Sequence, residues 1–301
     1  MPQGSILGPL LFIIFVNDIS HIDSKYQPIL FADDTSVSFT CEKTGSIENA
    51  CLRLNKTMTN WFSANGLKLN LDKSSTLLFA PRHSCAPKSI EGLKLNTETK
   101  YLGVTIDDTF SWTINADKLC KKLRQINSAL FKLKKYAPTE SLLTIYHSLF
   151  HSQLTYCIEA WGTCSKQNIT RIFQLQKRAI RTIAGKSKSD SCKPLFKKFN
   201  ILTLYSQYIL NVSCKFYTKH KFSNGNKVHD YLTRNTDLYK MQRPKTEFYK
   251  KCPDYMMTKI WNHLSDDLKN SKNISLFKKR LRGTLLKYII YDFDELFQLR
   301  L

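Results

Sequence analysis

Apolar and polar positions fall into two regimes along the chain. Residues 10–16 form an unbroken apolar run of seven after a Gly/Pro-rich lead, which predicts a buried helix entered from a tight loop. Residues 28–32 read as a short apolar strand. Asp33-Asp34 follows, and then residues 35–39, whose composition favours a strand. Strand, paired acids, strand predicts a hairpin with carboxylates at its tip. Ile47, Cys51, Leu54, Met58 and Trp61 recur at steps of four, three, four and three, one face of a helix, with Gly66 placed to close it. Leu67, Leu69 and Leu71 alternate with polar residues as a strand. A turn at Asp72-Lys73-Ser74 leads to a second strand over 76–79, a loop over 81–88 and a further strand over 101–106.

Beyond Trp112 the period changes to that of helices. Leu119, Leu123, Ile126, Leu130 and Leu133 again step four, three, four and three, while Lys118, Lys121, Lys122, Arg124, Lys132, Lys134 and Lys135 take other positions. This predicts an amphipathic helix with a basic outer face. Pro138 is expected to stop it, and Thr139 to cap a helix running to about His151. Ile169, Ile172, Phe173, Ile180 and Ile183 define another helix, ended by Gly185, and the polar stretch 186–194 reads as a linker. The remainder is read as helical, with Tyr208, Phe216, Trp261 and Phe277 as anchors.

Composition sharpens this division. Hydrophobic residues make up 42% of the 301 and aromatics 12%, which excludes wholesale disorder. No apolar run approaches the roughly 20 residues of a membrane span, and no signal-peptide pattern precedes the first run. The net charge is +22. Residues 1–112 hold 10 basic and 11 acidic side chains, whereas residues 113–301 hold 36 and 13. Such a basic region calls for a polyanion, nucleic acid before an anionic membrane surface, unless it is simply a solvated face. The nine cysteines show no Cys-x-x-Cys pair and sit singly, several in apolar stretches. That pattern fits free thiols in a reducing compartment, so the expected location is intracellular, cytoplasm or nucleus, and not secreted.

The chemistry-bearing residues are fewer. Two adjacent carboxylates on a hairpin suit a hard divalent cation, since Mg²⁺ takes oxygen ligands and commonly uses one or two carboxylates plus substrate phosphates. A solvated Asp-Asp turn is the competing reading, and Asp107-Asp108 and Asp266-Asp267 show that the dipeptide alone is not specific. The apolar strand before Asp33 favours the cation by fixing the acids. His147, His151, Cys157 and Cys164 lack the close cysteine pair of most zinc sites and are read as packing residues. Tyr205, Tyr208 and Phe216 are open to two readings, stacking on bases or lining buried helix faces.

Several motifs in order resemble one family. Phe31-Ala32-Asp33-Asp34 resembles the catalytic hairpin of reverse transcriptases, and Pro2-Gln3-Gly4-Ser5-Ile6-Leu7-Gly8-Pro9-Leu10-Leu11-Phe12 resembles the loop and helix that precede it. Gly66-Leu67-Lys68-Leu69-Asn70 with Lys73-Ser74 resembles the next palm motif, and Tyr101-Leu102-Gly103-Val104 the primer-grip strand. Order and spacing match non-LTR retrotransposon polymerases, the jockey-like group in particular. The helical part is similar to theirs at Ser152-Gln153-Leu154-Thr155-Tyr156-Cys157, Trp161-Gly162 and Gln176-Lys177-Arg178-Ala179-Ile180-Arg181.

The resemblance implies an α+β fold: a partial polymerase palm over 1–112, a basic helical thumb-like region over 113–185 and a helical C-terminal extension over 186–301. It implies an RNA-directed DNA polymerase using Mg²⁺, with Mn²⁺ an alternative, and no membrane. Its partners would be an RNA template, a DNA primer and deoxynucleotide triphosphates. Asp33 would ligate the metal with support from Asp34. Gln3 and Gly4 would lie against template and nucleotide, and Phe31 and Ala32 would flank the site. Lys73 would sit near the triphosphate, while Tyr101, Leu102 and Gly103 would hold the primer end. The family uses a further aspartate on an earlier palm strand, expected before Pro2. The expectation is therefore a truncated polymerase, inactive alone. The alternative is a non-catalytic RNA- or DNA-binding remnant.

Overall fold

The structure is a computed structural model that describes residues 4–23, 25–41, 46–70, 72–79, 87, 89–90, 93–239, 241, 243–244 and 246–299, with 223–237 excepted. It is mixed helix and sheet, an α+β chain. It divides into two compact units, Met1–Tyr101 with Asp107–Phe110, and Leu102–Ile106 with Ser111–Leu301.

The first unit opens with helix α1 (Gly8–Val16), followed by a 3₁₀ turn Asn17–His21. Strands β1 (Gln27–Phe31) and β2 (Asp34–Ser38) form an antiparallel hairpin with Pro28 opposite Val37 and Phe31 opposite Asp34. Period-two alternation places Pro28 and Val37 on one face, where they line a small pocket with Ile19, Tyr26, Leu54 and Met58. Leu54 and Met58 come from α2 (Ile47–Ala64), whose apolar stripe the sequence pattern predicts. Gly66 follows at φ +67°, the left-handed conformation that lets a C′ residue turn the chain out of a helix.

Three expectations for this unit change. Helix α1 forms but is not buried: Leu10, Leu11, Phe12, Ile13, Ile14 and Phe15 are all exposed, and only Val16 is covered. Strand β1 likewise forms, yet Ile29 and Phe31 stand exposed, because a two-stranded hairpin packs only one of its faces. The alternating leucines at 67 and 69 make no strand, since a strand needs a partner to satisfy its backbone. Two-residue strands β3 (Thr76–Leu77) and β4 (Leu95–Asn96) pair in parallel instead.

The stretch 101–106 is not one strand. β5 (Glu98–Tyr101) and β6 (Val104–Asp107) are separated by Leu102 at φ 45° and Gly103 at φ 85°. Positive φ at both central positions is the signature of a type I′ turn. Glycine meets that demand without strain; leucine adopts it at a cost.

The second unit is helical. Helix α3 (Thr113–Leu133) packs on α7 (Lys166–Ile183) through Leu119, Leu123 and Leu130 on one side and Ile169, Ile172 and Ile180 on the other, all buried. Ser165 caps α7 by accepting from the Asn168 amide, and Gly185 leaves it at φ +66°. Pro138 does not stop α3, which ends five residues earlier. It caps α4 (Thr139–Ile145), of which Thr139 is the first residue. A π turn, Tyr146–His151, and α5 (Ser152–Thr155) continue α4 without a break.

After α6 (Ile158–Trp161) and α7, the polar stretch from Lys186 is a pinned loop. Arg181 Nε donates to the Asp190 carbonyl, the Ser187 amide donates to the Asp190 carboxylate, and Cys192 is buried. Helices α8 (Lys193–Lys198) and α9 (Leu204–Phe222) follow. Then come α10 (Pro253–His263), α11 (Asp266–Lys269), α12 (Ile274–Tyr288) and α13 (Phe293–Gln298). One core runs from Ala116 to Leu296, with Phe216 stacked on Trp261 and Tyr217 on Phe277. Tyr205, Tyr208 and Phe216 are buried in it, so the base-stacking reading of these three is set aside.

Candidate active site

The hairpin that carries the acids is closed by the pair Phe31 and Asp34, leaving Ala32-Asp33 as a two-residue turn. Ala32 has φ 51° and Asp33 is not in the positive-φ region, the pattern of a type II′ turn. Such a turn prefers glycine at its first central position, so alanine there holds strain of the kind that clusters at working sites. The result is geometric. Asp33 stands at the apex, and Asp34 begins β2 on the strand face that also bears Ser36. Both carboxylates are exposed, and among the described residues neither is engaged by a lysine, an arginine or a hydrogen-bond donor. A solvated turn and an unfilled ligand pair share that appearance. The positive φ at Ala32 and the strand before it set the backbone from which the acids project.

Tyr101 is brought to the same face, since its hydroxyl accepts from Ser36 Oγ at 3.2 Å. Ser36 therefore ties β5 to the acid-bearing strand, a role that sequence reasoning missed because a lone serine in a strand gives no signal. Leu102 and Gly103 are placed otherwise. The Leu102 carbonyl accepts from the Tyr156 hydroxyl, and a Cβ at Gly103 would lie 3.4 Å from the Tyr156 ring. Tyr156 thus holds the turn from within the helical unit.

Lys73 lies in an exposed turn built on Asn70, whose side-chain oxygen accepts from the Lys73 amide and whose carbonyl accepts from Ser74. No ion pair among the described residues joins Lys73 to Asp33 or Asp34, so Lys73 is not brought to the carboxylates by a direct contact. Gly4 is exposed at φ +90° with nothing within 4 Å of a Cβ, leaving its backbone open to approach. Gln3 lies outside the described residues.

The donor chemistry fits a hard divalent cation: two adjacent carboxylates, solvent-facing and without a counter-cation among the described residues. Among the described residues no group of three His, Cys, Asp or Glu side chains that could hold a metal ion forms.

Residues 1–106 match the family model described as reverse transcriptase (RNA-dependent DNA polymerase). They include the acid hairpin and the Tyr101 strand. Over this segment the chain is similar to reverse transcriptases. Curated relatives extend the likeness past this segment. The RNA-directed DNA polymerase from mobile element jockey of Drosophila melanogaster is 26% identical over 62% of this chain and 22% of its own length. The probable RNA-directed DNA polymerase from transposon BS of the same species is 28% identical over 69% of this chain and 24% of its own. That from transposon X-element is 23% identical over 86% and 29%. The chain therefore spans about a quarter of the length of the curated relatives it matches. No helix among the described residues is long and apolar enough to cross a membrane.

Proposed function

We propose that the chain supplies the metal-binding hairpin and the nucleic-acid-holding helices of an RNA-directed DNA polymerase of a mobile element. The observation that carries this reading is the exposed pair Asp33 and Asp34 at a strained hairpin turn and the start of β2, unpaired with any cation among the described residues, within the segment that matches the family model. Asp33 and Asp34 would hold Mg²⁺, or Mn²⁺ in its place. When bound there, a divalent ion supplies charge neutralisation for phosphoryl oxygens and activates a primer hydroxyl.

The chain's own residues position the substrates. Ala32 and Phe31 fix the direction of the acids. Gly4 offers open backbone beside which a template or nucleotide can lie, and Gln3 precedes it in sequence. Tyr101, Leu102 and Gly103 form the strand and turn that hold the primer end, with Tyr156 clamping the turn by its carbonyl. Lys73 would meet the triphosphate electrostatically. The 36 basic side chains of residues 113–301 serve the RNA template and DNA primer through phosphate contacts.

Two carboxylates leave most of an octahedral shell to substrate and water, so this chain alone is expected to bind the ion without efficient extension. Electron paramagnetic resonance of Mn²⁺ added with template–primer and deoxynucleotide tests the site, with primer extension run in parallel. Loss of bound Mn²⁺ in the Asp33→Asn/Asp34→Asn double variant supports it. Retention of the ion by that variant refutes the hairpin as the metal site. Rapid extension by the unaltered chain, abolished by Asp33→Asn, would refute the incomplete shell.

The charge imbalance favours a second reading, a non-catalytic RNA- or DNA-binding chain. It requires that binding fall steeply with salt while Mn²⁺ is never taken up at the hairpin.

A further inference from the structure

The helical unit presents exposed aromatic rings that the polymerase reading does not use. Residues 118–139 carry seven basic side chains and no Asp or Glu. Where α3 ends, the chain turns through a corner fixed by its own backbone. The Lys134 amide donates to the Leu130 carbonyl at 3.0 Å, and the Tyr136 and Ala137 amides both donate to the Leu133 carbonyl at 2.9 Å. Pro138 then directs the chain into α4. On this rigid corner Phe131 is 52% exposed and Tyr136 is 86% exposed, flanked by exposed Lys132, Lys134 and Lys135. Lys134 Nζ stands 4.7 Å from the Phe131 ring centre. Favourable cations at a helix C-terminus explain the lysines. They do not explain two aromatic rings left in water beside a core that buries many others.

We infer that this corner is a contact for an unpaired nucleic-acid strand. Bases would stack on Phe131 and Tyr136, and phosphates would meet Lys132, Lys134 and Lys135. Every base has a π face, so a cation-flanked aromatic platform takes single strands with little regard to sequence. A duplex hides those faces and gains only the lysines. A membrane surface is disfavoured because the opposite face of α3 is committed to the core, which stops the helix from lying in a lipid interface. The inference rests on the reading that the helical unit holds nucleic acid.

Fluorescence anisotropy of the full chain tests it, with labelled oligouridylate and an RNA–DNA hybrid as separate probes over a series of salt concentrations. Replacing both rings (Phe131→Leu with Tyr136→Leu) is expected to weaken oligouridylate binding roughly ten-fold or more, leaving hybrid binding unchanged. Converting the three lysines to glutamine is expected to reduce the slope of log affinity against log salt by about 2 for the single strand. Tyr136→Trp should show emission quenched by oligouridylate. Both rings lie on the surface, so thermal melting verifies that folding is kept.

Unchanged oligouridylate binding by the leucine pair, with the hybrid still bound, refutes the corner alone. Equal loss on both probes refutes base stacking. Binding of neither probe by the unaltered chain refutes the corner and the nucleic-acid reading together. Capture by phosphatidylserine vesicles without oligouridylate binding refutes the corner in favour of a lipid surface.

Discussion

Acid should destabilise the helical unit through His151. This ring lies on the π turn, 5.6 Å from His147 and 6.2 Å from Tyr146 by ring centres, and its Nδ1 is buried without a hydrogen-bond partner among the described residues. Burial lowers its pKa to about 4, helped by the neighbouring His147 and Arg282 charges. The unfolded chain protonates near the ordinary value of about 6.5, while the folded chain keeps the ring neutral until about 4. The contribution to stability is therefore intact above pH 6.5 and is lost as pH falls toward 4. By about pH 5 the difference amounts to about 2 kcal/mol. His147 is shifted the same way by burial and adds to the trend. Denaturant unfolding at about pH 7 and about pH 5 measures the effect, with the non-titrating His151→Leu as comparison. The variant should lose about 2 kcal/mol less over that interval than the unaltered chain. Equal pH dependence in the two proteins would refute the buried neutral ring.

Other substitutions probe the backbone. Gly162→Ala would put a Cβ 2.3 Å from the Tyr208 ring and 2.5 Å from the Ile158 carbonyl oxygen, so a loss of about 3 kcal/mol or more is expected in urea unfolding. Gly283→Ala, inside α12, meets nothing within 4 Å and should stabilise by up to about 1 kcal/mol, seen as a raised melting temperature. Ala32→Gly relieves the positive φ at the hairpin apex and should stabilise the first unit by up to about 1 kcal/mol, read by hydrogen exchange of β1 and β2 amides. A fall in protection would contradict the strain assigned to that turn.

The elements that periodicity predicts well are those whose apolar stripe meets a partner within the same unit. α2, α3 and α7 follow this rule; the acid hairpin also forms, but its turn is Ala32-Asp33, one residue earlier than the Asp33-Asp34 pair read from sequence, and Asp34 lies in β2. Glycine at 66 and 185 marks helix ends because a left-handed residue is needed there. The same reasoning misreads α1, since an apolar run states what a helix would gain by burial and not whether anything covers it. It also misses the turn at Leu102, because a leucine at positive φ has no compositional signature. The site is legible to the same degree. Asp33, Asp34 and Tyr101 stand out as motif residues, whereas Ser36 and Tyr156 act through contacts 65 and 54 residues distant in sequence. No local pattern records such contacts. Phe131 and Tyr136 fall outside the periodic stripe, and only the structure shows them left outside the core.

Gln176 is wholly enclosed and engages both amide hydrogens and its oxygen. Its nitrogen donates to the Tyr146 hydroxyl at 3.0 Å and the Leu202 carbonyl at 2.9 Å, while its oxygen accepts from the Leu204 amide at 2.8 Å. One side chain thereby staples the stretch before the exposed Lys186–Lys188 loop to the stretch after it. Trypsin should cut at Lys186 or Lys188 and release nothing: the two pieces would elute as a single species and separate only in denaturant. That outcome would make continuity of the polypeptide at the loop dispensable for holding the helices in place, and the loop a natural position for inserting a tag or a reporter.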